Sequence, residues 1–209
     1  MVFEPVVLAV IAVIGLISYQ AFNNPELKYR LIFYPYRIKE TGEYFRFLTS
    51  GFIHGDMQHL LFNMFSFYFF GISLLYEFAT ASGSYTTGAI KMLIVFLGGI
   101  IASDIYSYFK HKDNPNYMAL GASGGVSAVI FGSIVFSPFS TIWLFFIPMP
   151  AILFAVGYLF YSARMAKQGT DNIGHDAHFF GAIFGVVITL ILEPSSFGTF
   201  INGLMNPHW

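Results

Sequence analysis

"MALGASGGVSAVIFG", residues 118–132, sets a serine between glycines at the mouth of an apolar helix. In a soluble hydrolase, Gly121-Ala122-Ser123-Gly124-Gly125 would pass for the G-x-S-x-G elbow, a sharp strand-to-helix turn that exposes a nucleophile. That elbow needs a strand before it, and the preceding "FKHKDNPNYMAL" is charged, polar and proline-containing instead. The residues after Ser123 are helix-compatible and apolar. Residues 123–135, about 13 of them at about 1.5 Å each, give a helix of roughly 20 Å, against a hydrocarbon core about 30 Å thick. One end of such a helix starts inside a bilayer, and the irregular chain before it must accompany it down. Non-helical backbone at that depth is tolerated only where it is buried in protein or lines a water-filled cavity. The expectation is a serine at the floor of a wet hole within a membrane.

Composition supports the membrane half of that expectation. The 209 residues are 56% hydrophobic and 10% charged, with 26 Phe and 13 Tyr, and the mean hydropathy is +0.65; soluble domains carry about 25% charged residues. Six segments are long and apolar enough to be spans, near 5–22, 57–79, 87–109, 122–137, 141–163 and 175–193, so the fold class expected is an all-α, polytopic, six-helix membrane bundle in a single domain, 1–209. The first segment lacks the basic leader of a signal peptide and reads as a retained helix. The connection 23–56 mixes aromatic and charged residues as membrane interfaces do, and is expected to be structured. Pro148 and Pro150 each remove a backbone donor, predicting a kink or break in the fifth segment. There is no internal repeat or low-complexity tract. Cysteine is absent, which excludes disulfides and thiolate chemistry, and a net charge of -1 gives no case for nucleic-acid binding.

A hydroxyl at a helix N-terminus lies beside unpaired N–H groups and the positive end of the dipole, both of which favour a developing anion. Glycine at 121 and 124 would let the backbone turn tightly and a substrate approach. Ser123 also reads more plainly as a helix cap. A nucleophile needs a base. His178, Gly181 and Gly185 share one stripe of the last span, and Gly124, Ala128 and Gly132 form a small-residue stripe on the fourth. Such faces let membrane helices approach closely, which would bring His178 near Ser123. In the second span His59 and Asn63 share a face, with His54 just outside; two neutral donors there could complete an oxyanion hole, or could merely fix packing. Convergence of His54, His59, His175 and His178 on a metal is a further reading, but no H-E-x-x-H and no thiolate accompany it. No metal and no cofactor are expected.

At these residues the sequence resembles the rhomboid family of intramembrane serine proteases, in its minimal six-helix bacterial form, over nearly the whole chain. H-x4-H-x3-N is met by His54, His59 and Asn63; G-x-S-G by Gly121 to Gly124; and A-H-x2-G-x3-G by Ala177, His178, Gly181 and Gly185. The resemblance implies a Ser123/His178 dyad hydrolysing peptide bonds in or near transmembrane segments of protein substrates, with His59, Asn63 and the Ser123 amide binding the oxyanion and His54, Gly121, Gly124, Gly181 and Gly185 in support. No catalytic aspartate is implied, and Asp176, two residues from His178, points to another face. Glu43-Tyr44-Phe45-Arg46 matches the E-x-W-R element of the family's first loop, with Phe45 in place of Trp. Many members carry an aromatic four residues after the nucleophile that packs on the histidine ring. Here that position is Ser127, so the orientation of His178 must rest on other contacts. His175 matches no family catalytic position.

Substrate access is expected to need movement of the fifth helix and of "RMAKQGTDNIG", with Gly169 and Gly174 as hinges. Nine Lys and Arg residues fall on the Ser123 side and only Lys91 on the other, which by the positive-inside rule would place Ser123 towards the cytoplasm. The resemblance implies the reverse: an active site opening to the extracytoplasmic side, with a bacterial inner membrane the expected location. The alternatives are a catalytically inactive relative that binds or escorts membrane proteins, and a small transporter or metal-binding bundle.

Overall fold

The computed structural model describes residues 4–144, 146–168 and 174–207. Proline opens each of the first three helices, α1 (Pro5–Phe22), α2 (Pro25–Leu31) and α3 (Pro35–Thr41), a position where its missing N–H costs nothing. After α4 (Arg46–Thr49) and a 3-10 turn (Ser50–Phe52), Asp56 caps α5 (Met57–Ser82) by accepting the His59 N–H at 2.8 Å. Gly83, at φ 66, ends α5, and Ser84 caps α6 (Tyr85–His111) directly. So short a connection makes α5 and α6 antiparallel neighbours.

Then come α7 (Ser123–Phe136), the hairpin β1 (Thr141–Leu144) and β2 (Ile147–Pro150), α8 (Ala151–Gln168), α9 (His175–Leu192) and α10 (Ser195–Met205). α1, α5, α6 and α9 are long and apolar enough to cross a membrane, while α7 and the apolar stretch Ala151–Ala166 of α8 are shorter. The chain is an all-α, polytopic membrane protein. Every residue of α7 from Gly124 to Phe136 is buried, with α5, α6 and α9 packed around it.

Two departures from the sequence reading stand out. Residues 141–163 do not form one span: Thr141 pairs with Pro150 and Leu144 with Ile147 in an antiparallel ladder, and helix begins only at Ala151. Pro148 and Pro150 deny the helix two donors and bias the residues before them to extended backbone. The Ser140 and Pro138 carbonyls accept the first N–H groups of α8, at 2.9 and 2.8 Å. The second departure is α10, an additional helix packed against α7 and α9.

Segment 23–56 is held by its own polar core. Arg46, 2% exposed, donates from Nη1 to the Tyr29 and Ile32 carbonyls at 2.8 Å and meets Glu43 at 2.6 Å. Arg37 Nε reaches both Glu43 oxygens at 2.9 Å. Phe33 pairs with Ala119 through two backbone hydrogen bonds of 3.0 Å, joining this segment to the chain just before Ser123.

Candidate active site

Ser123 is the first residue of α7 and half-buried. The cap position belongs to Ala122, which makes no side-chain cap bond, so the capping role that Ser123 could have played is not the one its position gives it. The turn before it needs glycine. Gly121 sits at φ 116, and a Cβ there would meet His59 Cε1 at 2.6 Å and Nε2 at 2.8 Å. The His59 ring therefore lies against the backbone two residues from Ser123. Asn63, one turn further along α5 and buried, donates from Nδ2 to the His59 carbonyl at 3.0 Å.

His54 supports the same turn from behind, and its tautomer is set by its partners. Ser18 donates its hydroxyl hydrogen to the Phe52 carbonyl at 3.0 Å, so it meets His54 Nδ1 at 2.9 Å as the acceptor. Nδ1 thus carries the proton, and Nε2 accepts the Ala122 N–H at 3.3 Å. Burial, with the His59 ring beside it, pushes the imidazole down to about 3, and the neutral ring is the form that can make both bonds at once. With the Gly121 N–H bonded to the Ser50 carbonyl at 2.9 Å, the residues before Ser123 are tied to segment 23–56 at Phe33, Ser50 and His54.

The two small-residue stripes meet in register. A Cβ on Gly181 would lie 2.3 Å from the Gly124 carbonyl oxygen, one on Gly185 2.1 Å from that of Ala128, and one on Gly132 2.7 Å from Thr189 Oγ1. Glycine is what allows α7 and α9 to touch backbone to backbone. Gly124 adjoins Ser123, and His178 stands one turn above Gly181, so both side chains occupy the same end of the α7–α9 seam.

The His178 ring stacks on Tyr158 of α8, with centroids 6.1 Å apart and planes 22° apart. Tyr158 OH in turn lies 2.7 Å from Ser127 Oγ. Reading the sequence missed Tyr158, although Phe154, Tyr158 and Tyr161 form an aromatic stripe at helical spacing. His175 is buried, edge-on to Tyr161 at 5.5 Å and to His178 at 5.9 Å. Asp176 turns away to pair with Lys110 at 2.6 Å. Among the described residues no group of three or more His, Asp or Glu side chains is arranged to hold a metal. Gly174 lies at the cap position of α9, while Gly169 falls outside the described residues.

A helical membrane bundle with a half-buried serine at the start of its central, enclosed helix, and histidines on the two neighbouring helices α5 and α9, is the class defined so far. A family model described as the rhomboid domain matches residues 41–195. The chain belongs to the rhomboid family. It is 28% identical over 164 residues to RHOMBOID-like protein 12, mitochondrial, of Arabidopsis thaliana, a match covering 71% of this chain and 46% of that protein. To Rhomboid-related protein 1 of Caenorhabditis elegans it is 29% identical over 158 residues, 71% of this chain and 40% of the relative. The chain thus spans less than half the length of either relative.

Proposed function

We propose that this rhomboid is an intramembrane serine endopeptidase, cleaving peptide bonds in or near the transmembrane segments of protein substrates. The observation that supports the reading is the backbone contact of Gly181 with Gly124, which brings together the ends of α7 and α9 that carry Ser123 and His178. In this reading Ser123 Oγ attacks the scissile carbonyl while His178 takes its proton, then returns it to the leaving amine; water, with His178 again as base, releases the acyl group from Ser123. The oxyanion is stabilised by the Ser123 N–H at the helix start, by His59 and by Asn63. His54 acts at one remove, holding the Ala122 amide.

A fluorophosphonate should label the wild-type chain and leave Ser123→Ala unlabelled, and cleavage of a model transmembrane substrate should be lost in His178→Ala. Absence of label on a folded wild-type chain would transfer it to the binding or escort reading. Helical carbonyls are shielded and hydrogen-bonded, so a substrate must unwind near the cut and pass α8 to reach Ser123. Because the chain has no cysteine of its own, a pair introduced to cross-link α8 to α5 gives a clean test: cleavage should stop on oxidation and return on reduction. The membrane is proposed to be a bacterial inner membrane, with the site opening to its extracytoplasmic side.

A further inference from the structure

We propose that Tyr158 is the positioning residue of the His178 imidazole, that Ser127 locks Tyr158 in place, and that the catalytic geometry therefore depends on α8 being seated. This rests on the protease reading of Ser123 and His178. An imidazole's outer torsion is broad, so backbone placement alone does not fix the plane in which the ring stands. A face contact does. The Tyr158 ring lies at 6.1 Å and 22° from His178, inside the 4.5–7 Å range of offset stacking.

Tyr158 is itself held at two points of α7. Its hydroxyl meets Ser127 Oγ at 2.7 Å, where Ser127 is 2% exposed, and its ring packs on Phe131 with centroids 5.6 Å apart. Ser127 and Phe131 come after Ser123 at successive steps of four, so all three share a face of α7. Nucleophile and base are thereby connected twice: once directly through the α7–α9 seam, and once through Ser127 and Tyr158.

The second connection runs through a helix that lies open on one side. Leu153, Val156 and Phe160 of α8 are each more than 60% exposed, whereas α7 is buried throughout beyond Ser123. Displacing α8 to admit a substrate withdraws the ring from His178, so the base is oriented again only when the helix returns over the bound segment. Closure and catalytic competence become one event.

Four variants test this, read by the rate of fluorophosphonate labelling, which needs no transmembrane segment to enter, and by kcat and KM on a model substrate. Tyr158→Leu, which removes the ring, should slow labelling and lower kcat together by about 10- to 100-fold, as misplacement of a reacting group does, with KM near its wild-type value. Tyr158→Phe keeps the ring and should lose only about 3- to 10-fold, the worth of one hydrogen bond. Ser127→Ala should match it. The double variant Ser127→Ala/Tyr158→Phe should be no worse than either single, because both remove the same bond. Labelling of Tyr158→Leu at the wild-type rate, or a Tyr158→Phe as slow as Tyr158→Leu, overturns the proposal. Should Tyr158→Leu fail to fold, the two hydroxyl variants decide it: equal losses that do not multiply support the proposal, and independent losses that multiply overturn it. A wild-type chain that takes no label removes the protease reading and this proposal with it, whereas a wild type that labels and a Tyr158→Leu that labels equally fast remove this proposal alone.

Discussion

His54 shows how much of a turn can rest on one buried side chain. It is fully buried, and its two ring nitrogens join α1, through Ser18, to the Ala122 amide next to Ser123. Replacing it with alanine strands the buried Ala122 N–H and leaves Ser18 only its bond to the Phe52 carbonyl, at a cost of about 1–3 kcal/mol, and loosens the turn before Ser123. The expected result for His54→Ala is a lower Tm in detergent together with slower labelling of Ser123. The histidine also gives stability a pH dependence. Its folded value near 3 lies below the ordinary 6.5, so below pH 6.5 the unfolded chain binds a proton that the folded chain refuses. The contribution is complete above pH 6.5 and is lost progressively as pH falls towards 3. A pH series of Tm should show that loss in the wild type and a shallower one in His54→Ala.

At the scale of elements, the α7–α9 seam is the most sharply specified contact. Gly181→Ala and Gly185→Ala each drive a methyl into a carbonyl of α7, and neither helix can yield without shifting Ser123 against His178. Each should cost about 1–3 kcal/mol by overpacking and lower cleavage with it. Gly157→Ala on α8, where an added Cβ meets nothing within 4 Å, should instead raise stability by about 0.5–1 kcal/mol through helix propensity; thermal unfolding of the three variants separates the cases. The seam was legible in the sequence because small residues at a spacing of four have one use in a membrane helix. The break before α8 was only half legible. Pro148 and Pro150 signalled a disruption, but an apolar run of this composition looks the same whether it spans or folds back, and the pairing of residues 141–144 with 147–150 depends on a turn that periodicity does not register. Tyr158 was hidden differently: an aromatic in an apolar helix carries no mark of function until the helix opposite it is known.

For the molecule as a whole, the charge distribution bears on orientation. Of the nine basic residues on the Ser123 side, Arg37 and Arg46 are bound to Glu43, Lys39 to Asp113 and Lys110 to Asp176. Burial opposes it, yet the Arg46 and Arg37 guanidinium groups hold the Glu43 carboxyl below its ordinary range. These cations are building parts of the folded segment 23–56 and of the helix ends it covers, so their number reflects the architecture of the site as well as the leaflet they face. Under the proposed orientation, a membrane-impermeant reagent added from outside should reach a tag placed within residues 113–116 and spare one at the N-terminus.

The enclosure of α7 has a consequence for how the protein tolerates its surroundings. A helix wrapped on every side by other helices offers nothing for acyl chains to press on. Thinner or thicker bilayers can tilt α1, α8 and the outer rims of α5, α6 and α9, whose apolar side chains stand exposed, but such strain reaches the serine only after passing through that packing. The chain thus keeps a stiff central helix inside a compliant sleeve, and adapts to its lipid host from the outside inwards.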